Sequence, residues 1–407
     1  MSDLVTRAQI TLLSRTLHVP EERLAHLEKL GAANLHELQE RLAKVMFAEH
    51  NAIFSRLSLL VPIIPLSISL PLVQKMVPPV MAGRAAGAIG VDHPKKAAEA
   101  VGMLEPGYAA AAAPYMDPHS VGQLADIAPP KPVMKIINEL LRRGDYITAG
   151  PFLAYATPEL VRAVEEDVHD DEGLIRSASY SYSGENISII IRHLLAGTGR
   201  RIPRLVRTIV DGSKELRLAA LSVFARCDAD VIVAIGDILF DTGSPDEIAD
   251  LVGAFIADDA VPETLRFVGQ LSPSALDLLA ANPITAEATT VEAITNAVDG
   301  SADAAQWRGL LELAERTEAG VARRIGGAIS HFDTVTLTQL LGLASTAHLW
   351  PPLLKVLATA EPDAQSRIGE SWSALPVLER GEIEQHIGDL GLNEALTALT
   401  ATLQLTQ

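Results

Sequence analysis

The chain has 407 residues and a formal net charge of -18, with 48% hydrophobic residues but only 4% aromatic ones. That length exceeds one ordinary core and predicts roughly two or three domains. An interior built from Ala, Leu, Val and Ile favours closely packed helices and disfavours sandwiches and barrels. Cys227 is the single cysteine, which excludes a disulfide framework and a cysteine-held metal and fits a reducing cytoplasm.

The charge is unevenly placed. Residues 1–130 carry 11 basic against 12 acidic side chains, residues 131–217 carry 13 against 12, and residues 218–407 carry 9 against 27. The imbalance therefore belongs to the last part, which predicts a boundary near residue 217 and argues against a nucleic-acid-binding surface there. The expected organisation is an N-terminal helical region over 1–56, an apolar strap with short-helix repeats over 57–217, and an acidic helical-repeat domain over 218–407.

In chain order, MSDLVTRAQITLL lacks the basic and apolar regions of a secretory signal and reads as a first helix. VPEERLAHLEKL reads as a second, opened by Pro20, and ANLHELQERLAKVMF as a third after Gly31. Leu24, Leu27 and Leu30, then Leu35, Leu38 and Leu42, give each an apolar stripe. The segment LSLLVPIIPLSISLPLVQ, from Leu57 to Gln74, has no charge but contains Pro62, Pro65 and Pro71. Interior prolines free backbone groups that lipid cannot satisfy, so the expectation is a buried strap with helices broken at each proline, and shallow membrane contact as the alternative.

Pro94, Pro106, Pro118 and Pro130 follow at intervals of twelve. Proline suits the first position of a helix, where its missing N–H costs nothing, so each interval predicts one short helix. Helices of two or three turns are marginal alone and persist by stacking on neighbours, which is the logic of a solenoid. The run Ala109 to Ala113 would let such helices approach closely.

Stretches such as LEPGYAAAAAPYMDPHSVGQLADIAPP resemble the superhelical cytoplasmic N-terminal domain of MgtE-type magnesium transporters and the related helical repeats of the flagellar motor protein FliG. The resemblance spans about residues 78–170 and implies an architecture of stacked short helices. It implies no magnesium chemistry here, since alanine stands where the transporter repeats carry acids. Around and beyond residue 217, helix starts at Ser213, Ser244-Pro245-Asp246, Pro262-Glu263, Ser272-Pro273 and Pro362-Asp363 predict nine or ten helices in a HEAT-like solenoid whose period the sequence does not reveal.

Candidate sites are few. EEDVHDDE (165–172) contains Glu166-x-x-His169, a spacing that would set carboxylate and imidazole on one helical face, with Asp170 beside them. No second such pair exists in the chain, so a solvated helix end is the expected state and no cofactor or bound metal is expected. AGTGRRIPRLVR (196–207) places two glycines before Arg200, Arg201, Arg204 and Arg207, as an anion-receiving turn would; a basic face docked on the acidic second half of the chain explains it without a ligand. Cys227 has acidic neighbours that would keep its thiol protonated. His386 follows Glu382 by four, as in a surface ion pair.

All six tyrosines lie between Tyr108 and Tyr182, and all three tryptophans beyond residue 300. Tyrosine combines apolar area with a polar tip and is enriched where proteins bind. Tyr146, Tyr155, Tyr180, Tyr182, Arg142 and Arg143, with the four arginines above, therefore make the middle region the expected interaction surface. The expected protein is an all-α solenoid acting as an intracellular protein-interaction scaffold without catalysis. A carrier of an apolar ligand is the first alternative. An enzyme of unknown class drawing on Glu166, His169, Tyr146 and Arg143 is the second. A protein partner is expected, then a hydrophobic small molecule or membrane surface; nucleic acid is not.

Overall fold

The computed structural model describes residues 3–58, 65–197 and 199–404. Among them there are 26 α-helices, a few 3₁₀ turns and no strand, an all-α helical repeat. The chain divides into two compact units, residues 1–231 and 232–407.

In the first unit, α1 (Leu4–Leu17) is capped by Asp3, whose carboxylate accepts from Thr6 N at 2.6 Å. VPEERLAHLEKL does not form the expected α-helix: it is two 3₁₀ stretches, Glu21–Arg23 and Ala25–Leu30. The reason is visible in the spacing, because Leu24, Leu27 and Leu30 recur every three residues, the 3₁₀ period. Gly31, at φ +73°, then opens α2 (Gly31–Ser58). Ile10, Leu13, Leu24 and Leu35 close a small core private to these N-terminal elements.

The prolines sit where the sequence places them. After α3 (Leu66–Met76) and α4 (Pro79–Asp92), helices α5 (Pro94–Met103), α6 (Pro106–Ala112), α7 (Pro118–Gly122) and α8 (Pro130–Arg142) each begin on one of the four spaced prolines. Only Asp117 adds a side-chain cap, accepting from His119 N and Ser120 N; His93 and Glu105 do not. The alanines do bring helices together: Ala109, Ala110, Ala112 and Ala113 are buried, and a Cβ on Gly83 of α4 would lie 2.3 Å from the Ala112 carbonyl. The unit continues through α9 (Tyr146–Phe152), α10 (Pro158–Asp167), α11 (Asp171–Ser179), α12 (Gly184–Ala196), α13 (Arg201–Val210) and α14 (Lys214–Phe224).

In the first unit many helices rest on the helix two further along, in two rows, although α11 packs chiefly on α14. α4, α6, α8, α10 and α12 form one row; α7, α9 and α11 belong to the other.

The apolar strap departs from expectation. Residues 59–64 lie outside the described residues, and from Pro65 onward the segment is not buried. α3 runs through Pro71 and contains no buried residue. The Ser67 carbonyl freed by that proline lies on the exposed side, where water can satisfy it. Among the described residues no helix is long and apolar enough to cross a membrane.

In the chain's last part follow α15 (Ala229–Thr242), α16 (Pro245–Ala257), α17 (Val261–Val268), α18 (Pro273–Ala280), α19 (Ala288–Val298), α20 (Ala304–Arg316), α21 (Ala319–Ile329), α22 (Thr334–Thr346), α23 (Trp350–Thr359), α24 (Pro362–Ser373), α25 (Val377–Asp389) and α26 (Thr397–Gln404). All five starts read from the sequence hold, with a capping box between Ser244 and Glu247. Twelve helices exceed the nine or ten expected, since several, such as α19 and α21, open without proline or a capping side chain.

The missing period appears in the hydrogen bonds. Ties from one helix pair to the next recur at 35 to 40 residues: Ser272 to Asp237, Arg266 to Asp303, Lys355 to Glu315, Arg367 to Ser330 and Trp372 Nε1 to the Leu337 carbonyl. The second unit's main core gathers Trp307, Leu310, Ile325, Leu340, Leu353 and Trp372, all fully buried.

Candidate functional site

In the first unit, α1 and α2 fold back over helices far along the chain. Arg15 on α1 makes a two-pronged bond to Asp145, Nη1 to Oδ1 at 2.6 Å and Nη2 to Oδ2 at 2.9 Å. Asp145 also caps α9 and accepts from the Thr148 hydroxyl at 2.8 Å. Its carboxyl is held below the ordinary value by Arg15 and Thr148, against the opposing effect of burial. On α2 the His36 ring stacks on Tyr182, centroids 4.1 Å apart and planes within 14°. Burial lowers the His36 pKa; Glu40, 3.5 Å away, pulls the other way.

These ties leave a cleft of about 1160 Å³ between the N-terminal helices and the repeats. Tyr155, Tyr180 and Tyr182 line it, together with Tyr115, Phe47 and Phe152. Their positions are set by glycines that give way to them: a Cβ on Gly122 would sit 2.2 Å from the Tyr155 ring, and one on Gly150 2.6 Å from Tyr180 Cβ. Burial raises the phenol pKa of both Tyr155 and Tyr180. Two cleft residues carry unmet hydrogen-bonding capacity. Gln9 is 0% exposed with neither end of its carboxamide partnered, and the buried Ser181 hydroxyl is likewise unpartnered.

The remaining residues singled out in the sequence lie elsewhere. The Tyr146 ring lies under Arg176, whose guanidinium carbon is 6.0 Å from the ring centre. Arg142 and Arg143 both clamp Glu139, holding its pKa down to about 2, and Arg143 also donates to the Gly107 carbonyl. Arg207 pairs with Asp211 one turn on. Arg200 takes a left-handed φ of +48° at the start of α13.

The two charged motifs prove to be partners of each other. The Glu165 carboxylate accepts from Gly199 N at 3.0 Å, and a Cβ at Gly197 or Gly199 would strike it at 2.6 or 2.5 Å. Arg201, only 1% exposed, donates to the Val168 carbonyl and lies 2.5 Å from Asp171, which Arg204 also meets at 2.6 Å. The glycine turn thus receives an anion that the chain itself supplies. That corrects the expected docking on the acidic second half: Asp171 and Glu165 lie in the same unit, one repeat back. Glu166 and His169 do not share a helical face, because α10 ends at Asp167 and Val168 is extended; Asp170 serves as the cap of α11 through Gly173 N. Among the described residues no three His, Cys, Asp or Glu side chains gather as a metal site.

No protein-family model matches the chain, and no curated protein matches it either.

The Cys227 thiol is buried and its pKa is pushed up to about 11, chiefly by that burial, with Asp228 a lesser contributor. In the second unit His386 lies 4.0 Å from Glu382 and stacks on Trp350. What sequence reasoning missed is the N-terminal half of the cleft. Arg15 and His36 look like ordinary helix-surface residues until their partners more than a hundred positions later are known.

Proposed function

We propose that the protein is a non-catalytic helical-repeat scaffold of the cytoplasm that holds a segment of a partner protein in the cleft beneath α1 and α2. The observation that carries this reading is the combination of an aromatic wall with unpartnered hydrogen-bonding groups at Gln9 and Ser181. A carboxamide offers one donor and one acceptor side by side, the complement of a peptide group. Leaving both unmet costs about 1–3 kcal/mol per group, which a bound peptide would recover. Tyrosines supply contact area at low entropic cost. The likeness of residues 78–170 to the MgtE-type domain belongs to this reading as architecture only, supported by the proline-started helices α4 to α8 and α10.

The test is site-specific photocrosslinking in extract of the native host, with a benzophenone amino acid in place of Tyr155 or, as control, of exposed Lys135. A discrete protein adduct is expected at position 155 alone, and it should vanish when Ser181→Trp fills the cleft. Equal labelling at both positions would refute the reading. A second reading, a carrier of an apolar ligand, is supported by the apolar part of the same lining, Leu12, Phe47 and Phe152 included. Native mass spectrometry separates the two: a co-purifying small hydrophobe supports the carrier, and the bare chain mass argues against it.

A further inference from the structure

The free hydrogen-bonding groups of the cleft narrow the kind of segment it can hold, on the reading that its occupant is part of a partner protein. Tyr115, Tyr155, Tyr180 and Tyr182 line it half-buried, and among the described residues none of their hydroxyls has a hydrogen-bonding partner. Burial raises the Tyr155 and Tyr180 pKa values, so these phenols keep their protons and stand as donors. Other hydroxyls of the same lining are spent within the protein: Thr16 donates to the Leu12 carbonyl at 3.0 Å, Ser120 to Asp117 at 2.7 Å and Thr148 to Asp145 at 2.8 Å. The rings are also held in place. A Cβ on Gly83 would lie 2.9 Å from Tyr115 Cβ, just as Gly122 and Gly150 make room for Tyr155 and Tyr180. What the cleft presents is a fixed aromatic wall edged with phenol donors.

Protein segments dock in a small number of ways, and most of them do not match this wall. A strand adds to a sheet edge, and there is no strand among the described residues. A helix closes its backbone hydrogen bonds within itself and offers the phenols no carbonyl along its length. An acidic or phosphorylated segment calls for a surplus of cations, whereas Arg15, Arg41, Lys44 and Arg84 of the lining are balanced by Glu37, Glu40, Asp92 and Asp117. A polyproline II segment has what the wall lacks. Its carbonyls are free of internal hydrogen bonds, its prolines bring no N–H to be satisfied, and its stiffness keeps the entropy lost on binding small. The Gln9 carboxamide, with one donor and one acceptor, accommodates a single residue that keeps its N–H. We propose that the cleft holds an uncharged, proline-rich segment of its partner in the polyproline II conformation, with proline rings against the tyrosine wall and carbonyls accepting from the Tyr155 and Tyr180 hydroxyls.

The experiment is titration of a dye-labelled oligoproline peptide, interrupted by one central leucine, with the full-length protein, followed by fluorescence anisotropy. A helical alanine–glutamine peptide and a glycine–serine peptide of the same length are the comparators. The proline peptide alone is expected to bind, and Ser181→Trp should abolish the binding. Tyr155→Phe and Tyr180→Phe each remove one hydroxyl and keep the ring, so each should raise Kd about two- to tenfold. Tyr146→Phe, whose ring lies under Arg176 away from the cleft lining, should leave Kd unchanged. Circular dichroism should show all three phenylalanine variants folded. In extract, the protein adduct formed from position 155 should map by tandem mass spectrometry to a segment carrying at least two prolines. Failure of the proline peptide to bind, equal binding of either comparator, or phenylalanine variants indistinguishable from the wild type would overturn the proposal. So would an adduct mapped to a segment without proline; that result would leave the cleft a site for protein of another kind, so the inference and the reading beneath it fail separately.

Discussion

Replacing Asp171 by alanine should cost the first unit several kcal/mol, and the structure says why. Asp171 is the shared carboxylate of Arg201 and Arg204 at the junction of α11 and α13. Arg201 is 1% exposed, and burial pushes its guanidinium pKa down against the attraction of Asp171. Without Asp171 its one remaining acceptor is the Val168 carbonyl. Breaking a buried ion pair from one side costs about 3–5 kcal/mol, because the surviving charge stays buried. Arg204, by contrast, is half exposed, so Arg204→Ala should cost no more than about 1 kcal/mol. The double change Asp171→Ala with Arg201→Met should recover most of the loss, since no charge is then stranded. Urea unfolding can be followed unit by unit, because all the tyrosines precede residue 183 and all the tryptophans follow residue 306. Second-derivative tyrosine absorbance should move to lower urea for Asp171→Ala, while tryptophan fluorescence stays with the wild type. An Arg204→Ala loss equal to that of Asp171→Ala, or a double variant no better than the single one, would refute the reasoning.

Two further outcomes follow from particular contacts. Burial depresses the His36 pKa below its ordinary 6.5, so the unfolded chain binds the proton first as pH falls; stability is full above 6.5 and declines below it, towards the folded value. The tyrosine-reported midpoint should therefore drop on acidification through that window. His36→Phe, which keeps the stack on Tyr182 and cannot titrate, should flatten this part of the profile; an unchanged profile would remove His36 from the account. In the second unit a Cβ on Gly309 would lie 2.0 Å from the Leu265 carbonyl, where α17 and α20 meet. Gly309→Ala should thus destabilise by about 1–3 kcal/mol, seen by tryptophan fluorescence and not by tyrosine absorbance.

Helix starts were legible because a cap or an N-terminal proline acts on the next three or four residues. Pro94, Pro106, Pro118, Pro130, Ser244 and Ser272 needed nothing from the rest of the chain. Class and stacking followed from composition for the same reason. What depends on distant partners was not legible. The charge-free stretch through α3 predicts burial, yet apolarity does not say whether anything covers a helix. The glycine-arginine turn suggested an anion, and its anion, Glu165, was already in view one repeat earlier; only the fold assigns the pair. Tyr155, Tyr180 and Tyr182 stood out in the sequence and line one wall of the cleft, while Gln9, Arg15 and His36 on its other wall carried no signal there.

Stacking at 35 to 40 residues has a consequence for synthesis. A helix pair leaving the ribosome finds its support in the pair made just before it, so each unit can consolidate progressively during translation. The exceptions are α1 and α2: Asp145, which holds Arg15, is made 130 residues after it, and Tyr182, on which His36 stacks, later still. α1 can close its small core with α2 early, but the two dock on the repeats, and the cleft forms, only once α9 and the segment around Tyr182 exist.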